Sequence, residues 1–154
     1  MTALAVGDRI EPFEGVNQFG QSVRVGSGGG WLVFFYPFAF TGICSSELRA
    51  LDRMRRPLRE LGCRIAAVSC DSMFALRVFS DAEHFSFDLV SDHWPHGAIA
   101  EKFGVFDSRR GCALRGSFLV NADLMITWTT IQNLGQPRDM GAHLAAAREL
   151  VTTR

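Results

Sequence analysis

Eight residues carry the strongest chemical signal in this 154-residue chain: Pro37-Phe38-Ala39-Phe40-Thr41-Gly42-Ile43-Cys44. A proline fixes the backbone, a hydroxyl follows four residues later, and a thiol three after that. A thiol is a strong nucleophile only as thiolate, so the chemistry depends on what surrounds Cys44. The preceding run, Trp31 to Tyr36, is uninterruptedly apolar and reads as a buried strand of a parallel sheet. Beyond the thiol, Leu48, Leu51, Met54, Leu58 and Leu61 recur at helical spacing. Cys44 therefore stands where a strand has ended and a helix begins. Unpaired N–H groups and the positive end of the helix dipole favour a thiolate there. By position alone, a buried structural cysteine fits equally well.

The neighbours add to the reactive reading. Thr41 can place its hydroxyl beside the sulfur across the first turn, Pro37 removes a competing donor, and Phe40 and Ile43 keep bulk water away. Each of these is also ordinary turn and core chemistry. A permanent positive charge is missing nearby, and Arg115 is the candidate. It opens the run Arg115-Gly116-Ser117-Phe118-Leu119-Val120. An arginine opening a core strand either faces solvent at the sheet edge or is used, because charged residues are rarely buried without a partner.

With Arg115 included, the chain resembles the peroxiredoxins. Pro37-x-x-x-Thr41-x-x-Cys44 matches their active-site motif, and Arg115-Gly116 before an apolar strand matches their distant arginine. Ala39 to Cys44, Ser91 to Ala98, Phe103-Gly104-Val105-Phe106 and Arg138-Asp139 are similar to the one-cysteine branch, the alkyl hydroperoxide reductase E type. The resemblance extends over most of residues 7–150. It implies one thioredoxin-like domain over 1–154, an α/β fold with a central mixed sheet flanked by helices and an N-terminal hairpin extension.

The resemblance also implies roles. Cys44 is the peroxidatic nucleophile and passes through a sulfenic acid. Arg115 stabilises the thiolate and the leaving oxygen, Thr41 orients the peroxide, and Pro37 shields the oxidised sulfur. Glu47 matches an acid that holds arginines in position, although a surface carboxylate early in a helix also interacts well with the dipole. The substrates are hydrogen peroxide and organic hydroperoxides. The reductant is a thioredoxin- or mycoredoxin-like protein or a low-molecular-weight thiol. The expected assembly is a homodimer or larger, with no cofactor and no metal.

Of the other cysteines, Cys70 follows the strand Arg64 to Ser69 and emerges at the same sheet edge as Cys44. It is geometrically the first candidate for a resolving partner, ahead of Cys112, although the one-cysteine branch that the chain resembles has no resolving cysteine and disulfide geometry is strict. Cys63, where a helix meets a strand, reads as core filler. No Cys-x-x-Cys pair is present, and Glu47 stands where a thiol–disulfide oxidoreductase needs its second cysteine. A redox sensor or holdase that uses Cys44 oxidation without turnover needs the same thiol and is the remaining alternative. His93 and His96 flank Trp94-Pro95 with no third ligand at a familiar spacing, and read as loop packing.

The elements that must position these groups follow from pattern. A short hairpin over 8–25 precedes the strand 31–36. The helix after Cys44 carries Pro57, which is expected to kink or split it. Strand 64–69 leads to a helix capped by Asp71 or Ser72 and running to about His84. A short strand 87–90 and a helical turn 97–103, ended by Gly104, come next. A hairpin joins 114–120 to 125–130, and an amphipathic helix spans 140–151. Leu124 stands late in the hairpin turn where the family often has glycine; leucine tolerates a left-handed conformation poorly, which puts the turn type in question.

Composition limits the partners. Sixteen basic and sixteen acidic residues are spread evenly, without the basic stripe that nucleic acid needs. The apolar run 31–40 is far shorter than the roughly 20 residues of a membrane span. No signal peptide is visible in the first twelve residues. The expected setting is the cytoplasm.

Overall fold

The computed structural model describes residues 2–152, so the domain expected over 1–154 extends past the described residues at positions 1, 153 and 154. Chain order is β1 (Phe13–Asn17), β2 (Ser22–Val25), β3 (Gly30–Phe35), α1 (Gly42–Glu60), β4 (Cys63–Ser69), α2 (Met73–Glu83), β5 (Asp88–Ser91) and α3 (Ala98–Phe103). There follow β6 (Phe106–Asp107), β7 (Cys112–Ala113), β8 (Arg115–Val120), β9 (Ile126–Gln132) and α4 (Met140–Thr152). Seven strands form one mixed sheet in the order β2-β1-β5-β4-β3-β8-β9. The central strands β3, β4 and β5 are parallel, and β8 runs antiparallel to β3.

The unbroken apolar run of β3 is explained by helices on both faces. Alternate side chains divide it. Trp31, Val33 and Phe35 join a core with α3, Phe103 and Phe118. Leu32, Phe34 and Tyr36 join the other core with Leu48, Leu51 and Leu58 of α1, Leu76 and Phe79 of α2, and Ala147 of α4. The same alternation sorts β8. Phe118 and Val120 enter the first core, so Arg115, Ser117 and Leu119 turn toward α1 and α4. An arginine at the start of this strand is thereby committed to the face that carries the helix of Cys44.

Four local details differ from the sequence pattern or extend it. α1 is continuous through Pro57 and is not split, because the proline sits in the last turn, where Leu61 N–H still reaches the Pro57 carbonyl at 3.3 Å. The turn after β8 keeps its left-handed position with Leu124 at φ +69°, at a cost of about 1–2 kcal/mol. The Asn121 side chain offsets it by accepting from the N–H groups of Asp123 and Met125, at 2.9 and 3.0 Å. The pair β6–β7 lies in a stretch that the sequence pattern leaves unassigned. Ser72, not Asp71, caps α2, accepting from Ala75 N–H at 3.2 Å. No helix among the described residues is long and apolar enough to cross a membrane.

Candidate active site

The carboxyl ends of the parallel strands meet the start of α1, the region where open α/β sheets gather ligands. Thr41 is the N-cap residue, and the first intrahelical bond runs from Ser45 N–H to the Thr41 carbonyl at 2.9 Å. The N–H groups of Gly42, Ile43 and Cys44 come before that ladder. No acidic residue occupies the first turn, and the Thr41 side chain makes no capping bond. The positive end of the helix is thus left to the third residue, Cys44.

The loop before it is held from β4. Asp71 accepts from Ala39 N–H at 2.9 Å and from the Ser69 hydroxyl at 2.7 Å. Pro37 is buried at the exit of β3. Phe40 adopts φ +70°, a strained value for an aromatic residue, and its ring packs 5.0 Å from Phe79 while remaining more than half exposed. The Thr41 hydroxyl donates to the Phe38 carbonyl at 2.9 Å and so has no proton left for the sulfur; its lone pairs stay open.

Cys44 is fully shielded, at 0% exposure, and its Sγ accepts from Arg115 Nη1 at 3.2 Å. The same Nη1 reaches Glu47 Oε1 at 2.8 Å, and Arg115 Nε donates to the Leu134 carbonyl at 2.8 Å. Glu47 is not a surface carboxylate; it is 3% exposed. Its Oε1 also accepts from Arg138 Nη2 at 2.8 Å, and its Oε2 accepts from Arg138 Nε at 3.1 Å and Arg138 N–H at 2.7 Å. Burial pushes the Glu47 carboxyl up, but the hydrogen bonds and charge of Arg138, with help from Arg115, more than offset this and hold it below the ordinary range. Two buried guanidiniums against one carboxylate leave a single positive charge beside the sulfur.

Arg138 is the residue whose role the sequence reading missed. A cation just ahead of a helix opposes the helix dipole, which is the signal that it is held by an anion elsewhere. Its guanidinium lies 3.6 Å over the Phe34 ring.

The remaining cysteines are free and buried. Burial pushes the Cys63 thiol up to about 12. Burial and the negative groups Asp92 and Asp71 push Cys70 up to about 12, and burial and Asp107 also raise Cys112. Cys70 does emerge at the carboxyl edge with Cys44, but the charges that shift it are those of Asp92 and Asp71. His96 Nε2 pairs with the Gly111 carbonyl at 2.7 Å and His93 Nδ1 with the Cys70 carbonyl at 3.4 Å, so both brace loops.

The chain is similar to several known proteins. Residues 6–129 match the model of the AhpC/TSA family. The chain is 36% identical over 111 residues to alkyl hydroperoxide reductase E of Mycobacterium tuberculosis, covering 70% of this chain and 71% of that protein. It is 30% identical over 143 residues to alkyl hydroperoxide reductase C of Bacillus subtilis, covering 87% and 75%. The crystal structure of peroxidoxin BcpB from Mycobacterium tuberculosis superposes with a TM-score of 0.83 at 26% identity, covering 94% of this chain and 97% of that one. The fold is the thioredoxin-like α/β fold expected from the sequence.

Proposed function

This chain belongs to the AhpC/TSA family and is a thiol peroxidase of the peroxiredoxin class, and we propose that it reduces hydrogen peroxide and organic hydroperoxides through a sulfenic acid at Cys44. The observation that carries this reading is the charge around the sulfur. Arg115 and Arg138 share one carboxylate, and a thiolate 3.2 Å from Arg115 Nη1 balances the remaining positive charge.

The chemistry follows from the donors available. The Cys44 thiolate attacks the terminal oxygen of the hydroperoxide; the S–O bond forms as the O–O bond breaks. The electron pair leaves on the other oxygen, as hydroxide or alkoxide, and takes a proton to give water or alcohol. Arg115 and the free N–H groups of Gly42 to Cys44 stabilise that developing charge. Thr41, whose hydroxyl proton is already committed to Phe38, accepts the hydrogen of the peroxide and orients it. Pro37 shields the sulfenic acid. Because Cys44 is covered, the peroxide enters by displacing part of the loop 37–41, where Phe40 is strained.

The sulfenic acid then condenses with an external thiol, releasing water and leaving a mixed disulfide, which a second thiol reduces. A thioredoxin- or mycoredoxin-like protein or a low-molecular-weight thiol supplies both. Phe74, Val78 and Trp94 are 74%, 60% and 85% exposed, which supports a homodimer or larger assembly. Four free thiols fit a reducing compartment, and the setting we propose is the cytoplasm.

Stopped-flow mixing with hydrogen peroxide and with an organic hydroperoxide, followed by steady turnover with a thioredoxin-type or small-thiol reductant, tests the reading. Fast oxidation with turnover is expected. Oxidation that no reductant reverses would replace the enzyme with a sensor, and no oxidation would reject both.

A further inference from the structure

A second line of polar contacts leaves the arginine pair and runs inward to a histidine that the peroxide chemistry does not use. Arg138 Nη1 donates to Ser117 Oγ at 3.1 Å and to the Gly116 carbonyl at 3.2 Å. His143 Nε2 lies 2.8 Å from the same Ser117 Oγ, and its Nδ1 lies 3.0 Å from the Asp139 carbonyl. A carbonyl only accepts, so Nδ1 carries the ring proton. Nε2 is then the acceptor, and the Ser117 hydroxyl must donate to it. That leaves a Ser117 lone pair facing Arg138. In this arrangement every shared hydrogen from Asp139 to Arg138 has one donor and one acceptor.

The imidazole is enclosed. It is 0% exposed and sits between the Phe34 ring at 5.6 Å and the Trp128 ring at 4.9 Å. Phe34 pairs across the sheet with Ser117, so one face of β3 and β8 carries both the ring under Arg138 and the hydroxyl beside it. Burial first, and the charge of Arg138 second, push the histidine down to about 4, which keeps Nε2 free to accept. An aliphatic side chain would fill this slot without the desolvation that a buried imidazole incurs. The histidine gains two hydrogen bonds in return, and the one through Ser117 ends on Arg138.

We infer that His143, through Ser117, is a positioning residue for the Cys44 reaction. It fixes the Ser117 hydroxyl as an acceptor for Arg138. Arg138 in turn fixes the Glu47 carboxylate, and Glu47 fixes the angle at which Arg115 meets the sulfur. The inference rests on Cys44 being the reactive thiol, and its test separates the two ideas.

Four variants are used: His143→Leu, which keeps the volume but loses the acceptor; His143→Gln, whose amide oxygen restores an acceptor near Nε2; Ser117→Ala; and the Ser117→Ala/His143→Leu double variant. Each is measured by rate of peroxide oxidation and, independently, by rate of iodoacetamide alkylation at Cys44, which needs the thiolate but no peroxidase activity. Both rates fall about tenfold in His143→Leu and recover to within about twofold of wild type in His143→Gln, a coupling of the size expected for one hydrogen-bonded network. Ser117→Ala slows both reactions as well, and the Ser117→Ala/His143→Leu double variant is no slower than the worse single variant. If wild type fails to reduce peroxide but alkylation follows this order, the peroxidase reading is lost and the positioning role stands. Wild-type alkylation in His143→Leu, or a Gln variant as slow as Leu, overturns the role. Should His143→Leu not fold, Ser117→Ala decides alone, and wild-type rates there overturn it equally.

Discussion

The two ends of α1 each carry a buried cysteine, and they differ in almost everything except burial. Cys44 is the third residue of the helix; Cys63 opens β4 three residues after the helix ends. At the first end the sulfur accepts from a guanidinium at 3.2 Å, among N–H groups with no helical acceptor. At the second the thiol donates to the Arg64 carbonyl at 3.7 Å, beyond the carbonyl end of the helix, and burial pushes it up to about 12. Both thiols are buried. The polarity of the helix and the buried cation are what separate a nucleophile from a packing residue.

The largest expected effect breaks the comparison outright. Cys44→Ser abolishes rapid peroxide reduction, whereas Cys63→Ser retains it, as read by peroxide consumption. Next comes the cation: Arg115→Gln slows oxidation by about 10²–10³-fold, the loss typical of removing one donor to a developing oxyanion. Arg115→Lys recovers little, since an ammonium cannot reach Leu134, Glu47 and Cys44 in the geometry of the planar fork.

Glu47→Gln leaves two buried guanidiniums facing a neutral amide and lowers stability by about 3–5 kcal/mol in urea unfolding. The same change at Glu14, whose pair with Arg24 is exposed, stays within about 0.5 kcal/mol. A smaller effect is set by pH. His143 titrates near 4 folded against 6.5 free, so the unfolded chain takes up a proton that the folded chain refuses. Its contribution is intact above pH 6.5 and lost as pH falls toward 4, a decline of about 3 kcal/mol that His143→Gln removes. Smaller again than the pH effect, Cys63→Ala shifts stability by no more than about 1 kcal/mol.

What was legible in the sequence was local. The run through Tyr36, the leucine spacing after Cys44 and the arginine before an apolar strand needed only short-range pattern. The fate of Glu47 was not readable this way, because its partner Arg138 lies 91 residues away and arrives only when the chain folds. Ser117 and His143 are ordinary residues until β8 and α4 bring them together on one face. The β6–β7 pair is two residues long on each side, too short for any period to register. Pro57 looked disruptive because a pattern does not say that a proline falls in the last turn, where the helix is ending anyway.

The role of Cys44 is decided by intact-mass analysis after one equivalent of peroxide, on wild type and on Cys44→Ser. One added oxygen is expected on wild type, mapped to Cys44, and no change on the variant. Loss of two hydrogens that depends on Cys70 or Cys112, or oxidation of the variant at the wild-type rate, would contradict it.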